Sequence, residues 1–205
     1  MTALPLTCSL DRKKDSDCFP GNSQKIGTFP VTPTNFFPAS TFESYFDGNS
    51  LDQGLSNYII ALQEHSLLTN TTNDEEVYRF VWLRTFDHPI SLRLQRSSLD
   101  FSLIIKQSDG KGGYGAGNLI VNREKRISVW EWIKFKELLE KECFWTMKPS
   151  DHEFGIDGAT WILEGKRENS YHFMFKWDPP KGKFREACLY LLELSELNIG
   201  ERDIY

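Results

Sequence analysis

Apolar and polar side chains alternate with a period of two through the middle of the chain, between residues 77 and 123. The first stretch, 77–86, is apolar on both faces, as a central strand would be. The later stretches alternate more strictly, and the turn signal Asp87-His88-Pro89 separates the first two. The pattern predicts four successive strands with short links, which is typical of an antiparallel meander.

Apolar residues recur at intervals of three and four in three other segments. This spacing places them on one side of a helix, and it predicts helices over about 51–66, 129–142 and 182–195. The second helix has the clearest start, because Ser128 and Glu131 have the spacing of a capping box.

Residues 158–178 predict a β-hairpin, because apolar side chains occupy every second position in two adjacent stretches. A register that brings the two apolar faces together requires a three-residue loop at 167–169, in which Asn169 suits a left-handed conformation. In that register Trp161 lies opposite Phe175, and we expect this face to belong to the core.

The same register places Glu164 opposite His172 on the other face of the hairpin. A carboxylate beside an imidazole favours the charged ring and can act as an acid/base couple, so these two residues are the candidate catalytic groups. A cross-strand ion pair contributing about 0.2–1 kcal/mol explains the same pairing without catalysis. The catalytic interpretation requires both side chains to line a concave pocket.

Together these elements predict an α+β fold with an antiparallel meander sheet of about six strands and two or three helices packed on one face. We expect residues 40–205 to form this single domain. Residues 1–39 are rich in Pro, Ser, Thr, Asn and Lys and show no periodicity, which predicts an irregular or partly disordered arm.

Five glycines lie between residues 110 and 117, and Gly110, Gly112 and Gly115 match the G-x-G-x-x-G pattern. A dinucleotide site needs a helix after this turn, whereas a strand is predicted here. The segment is therefore interpreted as a flexible hairpin loop. Since flexible loops often carry binding, it is a candidate to fold over a partner or ligand, with Gly112, Gly113 and Gly115 as candidate contacts.

If the turn of the first hairpin is Asp87-His88, Trp82 lies opposite Arg93, and Arg84 and Arg93 share a face with Trp82. An arginine over an indole is a common stabilising contact. Paired guanidinium groups also suit an anion, so Arg84, Arg93 and the neighbouring turn residue His88 are candidate ligand-binding residues.

The net charge of −5 argues against a general nucleic-acid binder. No stretch approaches the roughly 20 apolar residues of a membrane span, and the first residues lack the basic start and apolar run of a signal peptide, which predicts a cytoplasmic protein. The four histidines lack metal-ligand spacing, and no cofactor is expected. Cys143 and Cys188 fall on apolar helical faces and are predicted to be buried free thiols.

Three segments carry a resemblance to a known family: Tyr78–Ile90, Gly158–Gly165, and Tyr171-His172 with Trp177-Asp178-Pro179. They resemble a family of bacterial proteins of unknown function, over roughly residues 78–195. The resemblance carries no activity. It marks these positions for testing: Trp82, Arg84, His88, Pro89, Trp161, Glu164, Tyr171, His172 and Trp177.

An acidic α+β domain with no catalytic motif favours a non-enzymatic protein that binds another protein, in an accessory, inhibitor or immunity-like role. The alternative is a small-molecule or anion binder, or a hydrolase, that uses the Glu164/His172 pair with Arg84 and Arg93. The two hypotheses differ in geometry. The alternative needs those side chains to converge on one pocket, and protein binding favours a broad exposed apolar patch rimmed by polar residues.

Overall fold

The structure is a computed structural model, and it describes residues 24–25, 36–38, 48–69, 76–98, 100–150, 155–168 and 170–205. Within these residues the chain forms three α-helices and seven β-strands. In chain order they are β1 (Gln24–Lys25), α1 (Gly48–Ala61), β2 (Glu76–Arg84), β3 (Ile90–Ser97), β4 (Asp100–Ser108), β5 (Leu119–Arg126), α2 (Val129–Lys141), β6 (Ala159–Arg167), β7 (Ser170–Trp177) and α3 (Lys183–Ser195).

All the strands belong to one antiparallel sheet with the order β1-β7-β6-β2-β3-β4-β5. Strands β2 to β5 form the predicted meander, and the β6–β7 hairpin joins it through β6 and β2. The predicted α+β fold with six main strands is confirmed, and the two-residue β1 extends the sheet at one edge. The sheet is thereby centred on β2, which is buried along its whole length.

The helices cover both faces of the sheet. Helices α2 and α3 pack on one face, as the predicted arrangement requires, against a core that includes Phe80, Trp82 and Trp161. Helix α1 packs on the opposite face, against a second core that includes Val81 and Ile162. We call these the α2–α3 face and the α1 face.

Helix α2 begins where its capping residues predict. The Ser128 hydroxyl accepts a hydrogen bond from the Glu131 backbone N–H at 3.2 Å, and the Ser128 N–H donates to the Glu131 carboxylate at 2.7 Å. This reciprocal pair satisfies two N–H groups that a helix start leaves unpaired. The other two predicted helices are present as well, although α1 lies a few residues earlier than predicted.

The predicted register of the β6–β7 hairpin is wrong by one residue. Arg167 pairs with Ser170, so only residues 168 and 169 separate the paired positions, and Glu168 has a φ of 48°. Asn169 lies outside the described residues. As a result Glu164 lies opposite Phe173, and His172 lies opposite Gly165.

The cause of the error is that both faces of this hairpin are buried. Trp161 belongs to the α2–α3 core and Phe175 to the α1 core. A one-residue slip normally exposes an apolar set to water, and that penalty fixes the register of a half-exposed strand. Because a helix covers each face of this hairpin, a slip would expose neither apolar set to water. The length of the turn therefore decides the register.

The predicted register of the first hairpin is also wrong. Trp82 lies opposite Ile90, and Arg93 lies opposite Arg79. Since neighbouring residues of a strand point to opposite faces, Arg84 lies on the α2–α3 face and Arg93 on the α1 face. The two guanidinium groups therefore do not form one anion site.

Two further features concern the predicted arm and the cysteines. Most of residues 1–39 lie outside the described residues, but Phe36 and Phe37 are buried in the α1 core. Cys188 is a buried free thiol, as predicted. Cys143 is disulfide-bonded rather than free, and its partner is outside the described residues.

No helix in the described part of the chain is both long and apolar enough to cross a bilayer.

Candidate functional site

Four connecting segments meet at one end of the sheet: residues 85–89, 109–118, 155–158 and 201–205. We call them the loop end. In an antiparallel sheet the last residues of β2 and β4 and the first residues of β6 lie at the same end of the sheet. The first three segments are therefore at that end. The Thr85 N–H donates to the Gly158 carbonyl oxygen at 2.9 Å, and the Tyr205 hydroxyl donates to Asp87 Oδ2 at 2.8 Å.

The glycine loop 109–118 is fastened to the β2–β3 turn through its backbone. The Gly112 N–H donates to the carbonyl oxygens of Arg84 at 2.9 Å and Asp87 at 3.1 Å, and the Gly113 N–H donates to the Thr85 oxygen at 3.0 Å. A Cβ atom at Gly112 would lie 2.4 Å from the Arg84 carbonyl oxygen. A side chain at this position would therefore push the loop away from the turn.

Two more contacts hold the same loop. His88 Nδ1 lies 3.0 Å from the Gly110 carbonyl oxygen, and the Tyr58 hydroxyl of α1 donates to the Lys111 carbonyl oxygen at 3.2 Å. The structure thus places four of the predicted candidates in the loop end, His88, Gly112, Gly113 and Gly115, and a fifth, Arg84, directly beside it at the end of β2.

Two aromatic side chains of the loop end were not predicted as site residues. Phe86 and Tyr114 are 48% and 73% exposed, and their ring centroids lie 6.2 Å apart. Each sits in a turn or loop segment, where a large apolar side chain is unusual. Their position in a turn and a loop was the one signal in the sequence, and it could have predicted them as exposed aromatic side chains.

The exposed charged side chains of the loop end are mainly acidic. Asp109, Asp157, Glu201 and Asp203 are exposed, against Lys111 and Arg202. The aromatic pair therefore lies within a surface of negative local charge.

A second cluster of functional groups lies buried on the α1 face, and we call it the ion cluster: Glu64, Arg79, Arg93, Lys106 and Glu164. Arg79 Nε donates to Glu164 Oε2 at 2.7 Å, and its Nη1 donates to the His65 carbonyl oxygen at 2.5 Å. The Tyr171 hydroxyl donates to Glu164 Oε1 at 2.9 Å. Glu164 is thus occupied on both oxygens.

Glu64 joins the remaining cations of the ion cluster. Its Oε2 accepts from Arg93 Nε at 2.9 Å, and its Oε1 lies 3.3 Å from Lys106 Nζ. Burial acts to raise the pKa of Glu64, but the positive charges of Arg79, Arg93 and Lys106 outweigh it and lower that pKa. For Glu164 burial dominates and raises the pKa, although Arg79 and Tyr171 oppose the rise.

The predicted Glu164/His172 couple is not formed. Glu164 belongs to the α1 face, whereas the His172 ring lies on the α2–α3 face with its centroid 5.0 Å from that of Phe144. Both residues are buried. They stay catalytic candidates from the sequence, but they face opposite sides of the sheet and are not placed to exchange a proton with each other.

Sequence reasoning missed most of the ion cluster, including Glu64, Arg79 and Lys106. A signal existed for Arg79, because it is an isolated charge inside the apolar run of β2. Charged residues are almost never fully buried unless they are paired, so such a position predicts a partner on a neighbouring strand.

A groove of about 210 Å³ lies among the ends of β3, β4 and β5, and its lining residue Gln95 accepts a hydrogen bond from Arg93 of the ion cluster. None of the predicted site residues lines it. Its walls are polar or charged apart from one aromatic ring: Gln95, Ser97, Asp100, Phe101, Ser102, Glu124 and Arg126. Among the described residues, no group of three or more His, Cys, Asp or Glu side chains is placed to hold a metal ion.

The sequence matches no protein-family model and no curated protein. The resemblance to a bacterial family therefore stays a prediction, and function is argued from the site itself.

Proposed function

We propose that this protein works by binding another protein through the loop end, with Phe86 and Tyr114 as the apolar anchors. The observation that carries the proposal is their joint exposure on two segments that are bonded to each other. Aromatic side chains at the centre of an interface supply a large share of its binding energy.

The fastening of the glycine loop supports this role. The three hydrogen bonds from Gly112 and Gly113 fix the backbone that carries Tyr114 relative to the turn that carries Phe86. An anchor that is already in place loses less conformational entropy on binding than one on a loose loop. The pair thus resembles the rigid aromatic contacts of other binding surfaces.

The charge around the anchors indicates the chemistry of the partner. Exposed carboxylates, among them Asp109 and Asp203, outnumber exposed cations in the segments of the loop end that also carry the aromatic pair. A complementary partner presents an apolar pocket with a basic rim. Such complementarity acts mainly on the association rate and on specificity, and salt weakens it.

The alternative, an anion binder or hydrolase built on Glu164, His172, Arg84 and Arg93, has less support. It required these groups to converge, but each of its two pairs is divided between opposite faces of the sheet.

The test compares three immobilised proteins: the wild type, the Phe86→Ala/Tyr114→Ala double variant, and Trp130→Ala. Trp130 is 75% exposed at the start of α2, outside the loop end, so it controls for the loss of any surface aromatic. Proteins retained from extracts of the source organism are quantified by mass spectrometry at low and moderate salt. Each retained candidate is then purified, and its affinity for all three proteins is measured.

We expect one partner to bind the wild type and Trp130→Ala equally, and the double variant at least about tenfold more weakly. The rate at which this partner associates with the wild type should fall as the salt concentration rises. The proposal fails if the double variant keeps its native circular dichroism spectrum and binds the same proteins as the wild type with unchanged affinity.

A further inference from the structure

The last three residues of the sequence lie in a groove that binds them through their backbone. The indole N–H groups of Trp82 and Trp161 both donate to the Tyr205 carbonyl oxygen, at 3.2 and 3.0 Å. Trp82 and Trp161 pair directly across β2 and β6, and their ring centroids lie 5.3 Å apart. The register of these strands thus aims two donors at one acceptor.

Two arginines continue the same pattern along the segment. Arg185 Nη2 donates to the Ile204 carbonyl oxygen at 3.1 Å, and Arg84 Nη1 donates to the Asp203 carbonyl oxygen at 3.3 Å. Side-chain donors therefore reach three successive backbone oxygens. Two contacts depend on side-chain identity: the hydrogen bond from the Tyr205 hydroxyl to Asp87, at 2.8 Å, and the packing of Ile204 and Tyr205 against the α2–α3 core.

The groove is built from buried side chains that support one another. Trp82 and Trp161 are fully buried, and Arg84 is 4% exposed. The guanidinium carbon of Arg84 lies 4.3 Å from the centroid of the Trp82 ring, and that of Arg185 lies 4.8 Å from the Trp161 ring. Stacking of this kind fixes the direction in which a guanidinium group donates.

One donor of the groove is not used by the segment. Arg84 Nε is buried and has no hydrogen-bond partner among the residues that the structure describes. A buried donor without an acceptor is costly, so a ligand that supplies one more oxygen there would gain a bond that residues 203–205 do not make.

We infer that this groove is a peptide-binding site, that residues 203–205 occupy it in cis, and that a short peptide carrying a tyrosine takes it in trans when they leave. Because the donors recognise backbone oxygens, another peptide that forms the same 3₁₀ turn (Glu201–Asp203) followed by an extended residue can make the same bonds. Asp87 selects the tyrosine, and Arg84 Nε favours a peptide with an additional acceptor oxygen. The site uses the side chain of neither Phe86 nor Tyr114, so its test does not depend on the two proposed aromatic anchors, although residues 203–205 belong to the same loop end.

A tethered segment competes strongly with a free peptide. A short connection holds the segment near its site at an effective concentration of about millimolar. The full chain should therefore bind a free peptide weakly, and a chain that lacks Ile204 and Tyr205 should bind it well.

The first test adds a synthetic peptide with the sequence of residues 201–205, Glu-Arg-Asp-Ile-Tyr, to the full chain and to the chain lacking Ile204 and Tyr205. Calorimetry gives the affinity, and NMR follows the indole N–H signals of Trp82 and Trp161. We expect the shortened chain to bind at least about tenfold more tightly than the full chain. The peptide should also return the two indole signals towards their full-chain positions.

Two controls accompany this experiment. A scrambled peptide of the same composition should bind weakly, and the indole signal of exposed Trp130 should not move. The inference is overturned if the folded shortened chain does not bind the peptide, or binds the scrambled one equally.

A second measurement uses the full-length chain and does not depend on the shortened protein. Hydrogen exchange of the Trp82 and Trp161 indole N–H groups reports how often the segment leaves the groove. We expect Tyr205→Phe, which removes the bond to Asp87, to speed this exchange several-fold without changing the melting temperature. If the indoles exchange only at the rate of global unfolding in both proteins, the segment is a fixed part of the core and the inference is wrong.

Discussion

Arg79 and Glu164 occupy directly opposite positions of β2 and β6, and the Arg79 Nη2 and Glu164 Oε2 atoms lie 2.6 Å apart. Both side chains are fully buried at the centre of the sheet. A charge in such a place is tolerated only with a partner, because removing the partner leaves an uncompensated charge in a low-dielectric interior. Each of the two residues can therefore stay buried and charged only while the other is present.

We expect Arg79→Met alone to lower the free energy of unfolding by about 3–5 kcal/mol, because Glu164 loses its main partner. The double variant Arg79→Met/Glu164→Leu should recover much of that loss. Urea unfolding followed by circular dichroism measures both. Arg126→Met is the control, since Arg126 is exposed and 4.0 Å from Asp100, and it should change stability by less than about 0.5 kcal/mol. Additive losses in the double variant would contradict the expectation.

His65 makes the stability depend on pH. Burial, followed by the positive charges of Arg93 and Arg79, lowers its pKa from 6.5 to about 4. Between these values the unfolded chain binds a proton that the folded protein does not. This contribution to stability is therefore complete above about pH 6.5 and is lost as the pH falls towards 4.

The full effect of such a shift would be about 3 kcal/mol, and we expect about 1–2 kcal/mol because the ring is partly exposed. Denaturant unfolding of the wild type and His65→Gln across this pH range isolates the contribution, since Glu64 titrates in both proteins. The variant should lose less stability on acidification. Parallel pH profiles for the two proteins would show that His65 has no such role.

Gly112 and Gly115 of the glycine loop should respond differently to alanine. A Cβ at Gly112 meets the backbone of β2, whereas a Cβ at Gly115 meets no atom within 4 Å. We expect Gly112→Ala to destabilise the protein by about 1–3 kcal/mol and to weaken partner binding, because the loop must move. Gly115→Ala should be neutral or slightly stabilising, since it reduces the freedom of the unfolded chain. Thermal melts of the two variants settle the comparison, and equal losses would contradict the packing argument.

The two described cysteines should differ in their reaction with an alkylating reagent. Cys188 is buried, which raises the pKa of its thiol, and Cys143 is disulfide-bonded. In the native protein neither should react. In denaturant without reductant only Cys188 of these two should be labelled, and both should be labelled after reduction, as peptide mapping by mass spectrometry can show.

Labelling of Cys143 without reductant would contradict the disulfide. A confirmed disulfide at Cys143 would argue against the predicted cytoplasmic location, since disulfides persist mainly in oxidising compartments.

The elements of this fold follow from local patterns. The four strands of the meander, helix α2 with its Ser128 cap, and the final helix all lie close to their predicted ranges, because side-chain periodicity and capping act over a few neighbouring residues. The meander also implied that the β2–β3 turn and the glycine loop meet at one end of the sheet. Five of the predicted candidate residues lie there for that reason.

The two register errors have different origins. The β2–β3 register was predicted from a turn at Asp87-His88, but Trp82 pairs with Ile90 and the connection is longer.

The β6–β7 register was predicted by assuming that the hairpin has one apolar face to bury, but α1 covers the face that was expected to be polar. Glu164, Arg93 and Lys106 of that face are therefore buried in an ion cluster rather than exposed, and they contact Arg79 and Glu64, which lie elsewhere in the chain. No local pattern specifies contacts between residues so far apart in sequence.

By itself, the sequence determined the α+β class, the strand and helix segments and the set of connecting loops, since these depend on short-range spacing. Tertiary structure alone decided which side chains face one another. The turns set the registers of β2–β3 and β6–β7, and these registers separated Glu164 from His172, paired Glu164 with Arg79, and turned both indoles towards Tyr205. The physical reason is that burial on both faces removes the solvent penalty by which a sequence pattern reveals its register.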